Sequence, residues 1–159
     1  MVTGMLYGVA ASTAARTIAR NKPEVVYALI ESKKNALYRS DDGGTKWNQV
    51  SEVNDKTQVS ERPFYFWEIY VDPKNENTVY SLNVSFKKST DGGKTWKQTG
   101  LKNQLSEGLN SITRTVWVNP LNSKEVLVVG TKGIFKSFDG GDTWSNKVLD
   151  KMSSSLVQH

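Results

Sequence analysis

Ser40-Asp41-Asp42-Gly43-Gly44-Thr45-Lys46-Trp47 decides how this chain is read, because the pattern occurs three times. Ser89-Thr90-Asp91-Gly92-Gly93-Lys94-Thr95-Trp96 and Ser137-Phe138-Asp139-Gly140-Gly141-Asp142-Thr143-Trp144 follow the same S-x-D-G-G-x-x-W order, and the serines stand 49 and then 48 residues apart. One match is a weak signal, whereas three at near-constant spacing are an internal repeat. The residue types read as a turn between two strands. Such a turn needs positive φ, which glycine adopts without a Cβ clash, and Gly44, Gly93 and Gly141 each follow another glycine. Asp and Ser side chains bond to nearby backbone groups and close a turn from within. Asp42, Asp91 and Asp139 are therefore expected to be held by local N–H groups. Ser40, Ser89 and Ser137 are expected to tie the turn to the adjoining strand. Trp47, Trp96 and Trp144 open the next strand and should pack on the sheet, each burying up to roughly 200 Å².

The flanks repeat as well. Ahead of each turn stands a short strand pattern: Ala36-Leu37-Tyr38-Arg39, Val84-Ser85-Phe86-Lys87-Lys88 and Gly133-Ile134-Phe135-Lys136. A β-branched run precedes it: Val25-Val26-Tyr27-Ala28-Leu29-Ile30, Thr78-Val79-Tyr80-Ser81-Leu82 and Val126-Leu127-Val128-Val129. A further strand comes first, Trp67-Glu68-Ile69-Tyr70-Val71 before Asp72-Pro73, and Thr115-Val116-Trp117-Val118 before Asn119-Pro120. In the first unit Leu6-Tyr7-Gly8-Val9-Ala10 takes that place, with a long connection to Lys22-Pro23. No helical period is sustained. Each unit thus reads as four antiparallel strands, A to D, with the glycine turn between C and D. Four-stranded units at a period of about 40–50 residues are the mark of propeller blades. The expectation is an all-β chain of three β-propeller blades over about 5–51, 64–99 and 111–147, with 148–159 a tail or the start of a further blade.

Composition narrows the chemistry. The 159 residues contain no cysteine, which excludes thiolate metal sites, and the single histidine is His159 at the end, which argues against a histidine metal cluster or a Ser/His catalytic pair. No metal and no cofactor is expected. The net charge is +5, but the lysines are spread along the chain, so nucleic-acid binding is not expected. No apolar run approaches the roughly 18 residues of a membrane span. A catalytic role for the three turn aspartates is disfavoured, since equivalent copies on separate blades cannot converge on one substrate.

The turns resemble the Asp box, or bacterial neuraminidase repeat, of sialidases, xyloglucan-degrading glycosidases and sortilin-type receptors. The similarity extends to Leu37-Tyr38-Arg39-Ser40, Arg62-Pro63-Phe64-Tyr65, Val71-Asp72-Pro73-Lys74-Asn75 and Leu82-Asn83-Val84, as in large secreted bacterial proteins of sortilin-like or glycosyl-hydrolase-like type. The resemblance implies a closed propeller, secretion to the periplasm, cell surface or medium, and boxes on the face away from the ligand. It transfers no catalytic residue. Sialidases of this kind carry an arginine triad, an Arg-Ile-Pro motif and a Tyr/Glu nucleophile pair, and Arg-Ile-Pro is absent here. The xyloglucan enzymes place two aspartates across a cleft between two propellers, more than this chain supplies.

Three blades do not close a ring, which takes roughly four to eight. Missing blades or self-association must cover the two end faces. A carbohydrate or protein ligand would approach the mouth formed by the D-to-A and B-to-C loops. The segment richest in recognition chemistry there holds Arg62, Phe64, Tyr65, Trp67 and Glu68, because aromatics stack on sugar rings and Arg forks to carboxylates. The same aromatics also suit a core. Three functions stay open: a non-catalytic module for binding or scaffolding, part of a glycoside hydrolase with catalytic residues outside this chain, and a recombined blade array with no natural ligand.

Overall fold

A computed structural model describes residues 14–30, 36–52, 68–82, 86–101, 113–130 and 133–145. Among these the chain is all-β, with no helix. The first sheet is four-stranded, with β1 (Ala14–Ile18), β2 (Val26–Ile30), β3 (Ala36–Ser40) and β4 (Asn48–Glu52) in chain order. The second repeats it with β5 (Glu68–Asp72), β6 (Asn75–Leu82), β7 (Phe86–Ser89) and β8 (Lys97–Gln98). The third holds β9 (Thr113–Val118), β10 (Val126–Gly130) and β11 (Gly133–Ser137), with an isolated antiparallel bridge from Lys136 to Ser145. All pairings are antiparallel. Three meanders of this kind are the blades of a β-propeller.

One strand differs from the sequence reading. The strand that pairs with β2 is Ala14–Ile18, where a connection was expected. Leu6-Tyr7-Gly8-Val9-Ala10 lies outside the described residues. The cause is the A-to-B turn, which has a fixed length. Ala19, Asp72 and Asn119 each stand seven residues before Val26, Val79 and Val126. The turn bonds repeat accordingly: Ala19 N–H to Val25 C=O and Asn119 N–H to Glu125 C=O, at 3.0 and 2.9 Å. The fourth strands also begin one residue after each Trp, because the indole folds back on the turn.

The core lies between blades. A strand's two faces point to opposite sides of its sheet, so each central blade presents one face to the blade before and one to the blade after. Tyr27, Leu29 and Leu37 of the first blade pack on Ile69, Val71 and Val79 of the second. Tyr80, Leu82 and Phe86 of the second pack on Val116, Val126 and Val128 of the third. Tyr80 and Phe86 stack with centroids 5.7 Å apart.

Polar latches accompany each apolar joint. Tyr27 Oη donates to Glu76 C=O at 2.8 Å, and Tyr80 Oη to Gly140 C=O at 3.2 Å. Arg39 Nη1 donates to Asn77 Oδ1 and Tyr27 Oη at 2.7 and 2.9 Å, while its other nitrogens hold Asp41. Lys88, in the corresponding place on the second blade, reaches Asp142 of the third at 3.2 Å. Lys136 takes this place on the third blade and pairs with Glu125 of its own sheet. Replacing Arg39 by Met strands the Asn77 side-chain amide oxygen and removes the Tyr27 hydroxyl's second contact, so a loss of about 2 kcal/mol is expected. Lys136→Met breaks a pair within one sheet, whose side chains are 28% and 24% exposed, and leaves Glu125 its Asn119 donor, so it should cost under about 1 kcal/mol. Urea denaturation of both variants gives the comparison, and equal losses would contradict the latch.

Candidate functional site

Each S-x-D-G-G-x-x-W corner is built the same way. Ser89 Oγ donates to Asp91 Oδ1 at 2.8 Å and accepts the Gly93 N–H at 2.8 Å. Ser40 and Ser137 repeat both bonds with Asp42 and Gly44, and with Asp139 and Gly141. The aspartates accept from the backbone further on: Lys46 N–H to Asp42, Thr95 N–H to Asp91, and Thr143 N–H to Asp139. Trp47, Trp96 and Trp144 return Nε1–H to the carbonyls of Gly44, Gly93 and Gly141. The glycine pairs all hold positive φ, from 70° at Gly43 to 97° at Gly44. In the last two corners the Thr95 and Thr143 hydroxyls also bond the carboxylate. The first corner has Lys46 in that position and lacks this bond.

The electrostatics follow from the bonding. Burial pushes the Asp91 carboxyl upward, but the Thr95 hydroxyl and N–H, the Ser89 hydroxyl and the Lys94 N–H outweigh it and hold the pKa at about 2. Asp139 is driven down still further by the equivalent groups, again against burial. At Asp42 the Lys46 N–H and then the Ser40 hydroxyl lower it. These carboxylates are fixed acceptors for the turn. A carboxyl depressed by folding adds stability that is present above its unfolded pKa and fades as pH falls to the folded one. Asp91 runs from 3.8 unfolded to about 2 folded, so stability should fall between about pH 4 and pH 2. Asp91→Asn should flatten that limb in urea titrations at stepped pH. An unchanged acid slope would show that the corner carboxylate does not carry it.

The inner strands β1, β5 and β9 run side by side. Near the start of β5 the exposed Glu68 accepts the Tyr70 hydroxyl at 2.7 Å. Tyr70 Oη also lies 3.3 Å from Thr115 Oγ1 on β9. Burial, followed by the Glu68 carboxylate, raises the Tyr70 phenol above its ordinary value, so it stays a protonated donor. Of the aromatic segment, Glu68 is placed here, and Arg62, Phe64, Tyr65 and Trp67 lie outside the described residues. The Tyr70–Glu68–Thr115 contact joins two blades and has no counterpart in local sequence spacing, so sequence reasoning passed over Tyr70 and Thr115. On the outer rim, a shallow polar cleft of about 180 Å³ lies between the second and third corners, with Lys88, Thr90, Lys97 and Asp142 among its walls. Among the described residues no group of three or more His, Cys, Asp or Glu is set to hold a metal ion.

Meander blades packed face to face through repeated glycine corners define a segment of a β-propeller. Residues 35–155 match the Sortilin-Vps10 family (sortilin, neurotensin receptor 3), and the chain belongs to that family. Among solved structures it is similar to a GH74 enzyme of Niastella koreensis, at 21% identity and TM-score 0.64, over 82% of this chain and 22% of that one. It is also similar to YCF48 of Cyanidioschyzon merolae, at 17% identity and TM-score 0.59, over 95% of this chain and 46% of that one. The GH74 xyloglucanase of Xanthomonas campestris matches at 16% identity and TM-score 0.54, over 89% of this chain and 22% of that one. The chain therefore spans under half the length of each of these structures. At these identities the likeness concerns the fold. No curated protein matches the chain.

Proposed function

We propose that this chain is a non-catalytic β-propeller module, built of Asp-box blades, that binds a carbohydrate or protein ligand at its mouth and acts outside the cytoplasm. The observation that carries this is how the shared carboxylates are held: Asp42, Asp91 and Asp139 each accept the corner serine hydroxyl and backbone N–H groups of their own turn. A general acid must hold its proton near neutral pH, so its pKa is raised. Asp42, Glu76, Asp91, Glu125 and Asp139 are all displaced the other way. Their hydrogen bonds serve turns and joints. Glu68, with Arg62, Phe64, Tyr65 and Trp67 beside it in sequence, is the proposed contact segment. YCF48, a structural neighbour, has been solved with a D1 peptide, which supports a propeller of this build taking a protein segment. Family membership supports the extracytoplasmic setting, and among the described residues no helix is long and apolar enough to cross a membrane.

A hydrolase reading has one observation in its favour, the Tyr70–Glu68 hydrogen bond, which has the residue types of the sialidase nucleophile pair. The raised Tyr70 phenol weighs against it. Screening the protein against glycan and peptide arrays, and in parallel against aryl glycosides and sialosides, separates the two. Binding without turnover, weakened by Trp67→Ala, is the expected result. Turnover abolished by Glu68→Gln would replace the module with an enzyme.

A further inference from the structure

We infer that the rim cleft between the second and third corners binds one sugar acid, with its carboxylate on Lys97 and its hydroxyls on Thr90, Gln98 and Asp142. The cleft arises from a difference between the two joints. At the first, Asp41 follows the corner serine and takes the Nε and Nη2 donors of Arg39 at 2.9 and 2.7 Å, so the outer side of that cation is covered. At the second, the residue after the corner serine is Thr90, which cannot pair with a cation. Lys88 reaches across the joint to Asp142 at 3.2 Å instead. The space over Lys88 stays open, and it forms the cleft of about 180 Å³. Its two walls are fixed against each other, since a Cβ at Gly100 would lie only 2.7 Å from the Asp142 carbonyl oxygen.

The lining chemistry selects the ligand. Two lysines and one aspartate face the cleft, which leaves it one positive charge in excess. Lys88 is 15% exposed along its side chain and committed to Asp142. Lys97, Thr90 and Gln98 are exposed, and their side chains have no partner among the described residues. These are the free donors. The Thr95 and Thr99 hydroxyls already donate to Asp91 and to Phe86 C=O, so toward a ligand they can only accept. Asp142 holds Lys88 through Oδ1, which leaves Oδ2 as a further acceptor. A bare oxyanion answers the donors but leaves the acceptors unmet, and a neutral sugar leaves Lys97 without a counter-charge. A hydroxylated carboxylate answers both, and ammonium-to-carboxylate hydrogen bonds are among the strong ones. Pockets for drug-sized ligands run to roughly 300–1,000 Å³, so this smaller cleft suits a single sugar unit. It lies by the outer strand β8, whereas Glu68 is on the inner strand β5, so the two sites are tested separately.

Titration of the full chain with D-glucuronate, followed by amide chemical shifts, provides the test, with glucose and inorganic sulfate as parallel probes. Saturable shifts are expected from glucuronate at Thr90, Lys97, Gln98 and Asp142. Glucose and sulfate should each bind about fivefold more weakly or worse, because each meets only part of the lining. Lys97→Ala should weaken glucuronate about tenfold. Lys46→Ala removes the same charge from the first corner and should change it less than about twofold, since exposed charges that far apart are screened. Thr90→Asp copies the first corner onto the second, so its carboxylate should cover Lys88 and abolish binding in a chain that circular dichroism shows to be folded. Absence of saturable shifts at these residues would overturn the inference. Equal affinity for sulfate and glucuronate would reduce the cleft to an adventitious ion only. Equal losses in Lys97→Ala and Lys46→Ala would overturn it too, by showing attraction to net charge alone.

Discussion

Gly93→Ala is expected to lower stability by about 2–5 kcal/mol, the sum of two effects. Gly93 sits at φ +90°, where a residue with a Cβ costs about 1–3 kcal/mol. The added methyl would also lie 2.5 Å from Leu37 Cδ2 and 3.5 Å from Val50 Cγ2, both on the first blade. Overpacking of this kind costs about 1–3 kcal/mol more. Small domains hold only about 5–15 kcal/mol in all, so the variant should be partly unfolded at modest urea. Gly43→Ala is the internal control. Its φ is +70° and its surroundings are open, so strain alone, about 1–2 kcal/mol, should appear. Equal losses at the two sites would mean that the second corner is not packed against the first blade.

Trp144→Ala is expected to cost about 3–5 kcal/mol, as for other buried aromatics cut to Ala. Trp144 is 7% exposed, and its ring meets Phe86 edge-on, with centroids 5.6 Å apart and planes at 78°. Its Nε1–H caps the Gly141 carbonyl at 3.1 Å. The substitution therefore opens a cavity in the joint between the second and third blades and leaves a turn carbonyl without its donor. Trp47 should tolerate the same change better, because it is only half-buried at the open end. Thermal unfolding of the two variants measures the difference, and a Trp47→Ala loss as large as that at Trp144 would contradict the assigned joint.

The corners were legible in the sequence because their chemistry is local. Serine, aspartate and two glycines within five residues describe one turn, whatever surrounds them. The first strand was not legible in the same way. Leu6-Tyr7-Gly8-Val9-Ala10 is more apolar than Ala14-Ala15-Arg16-Thr17-Ile18, so hydropathy favours the wrong segment. The constant seven-residue step from Ala19, Asp72 and Asn119 to the next strand carried the right answer. The latches were missed for another reason. Arg39 and Asn77 are 38 residues apart, and their bond exists only once two blades face each other. A repeated signal was nonetheless present, since Arg39, Lys88 and Lys136 each precede a corner serine. Glu68 was singled out in the sequence, but its partners Tyr70 and Thr115 depend on which faces the inner strands turn to each other.

The central claim is that consecutive blades pack face to face, each glycine corner against the blade before it. A nuclear Overhauser spectrum of the protein with labelled leucine methyls tests it most directly. Cross-peaks are predicted from a Leu37 methyl to the Gly93 α protons and from the Tyr80 ring to those of Gly141, pairs that lie close only across joints. Cross-peaks from Leu37 to its own corner at Gly44, with none to Gly93, would contradict the arrangement.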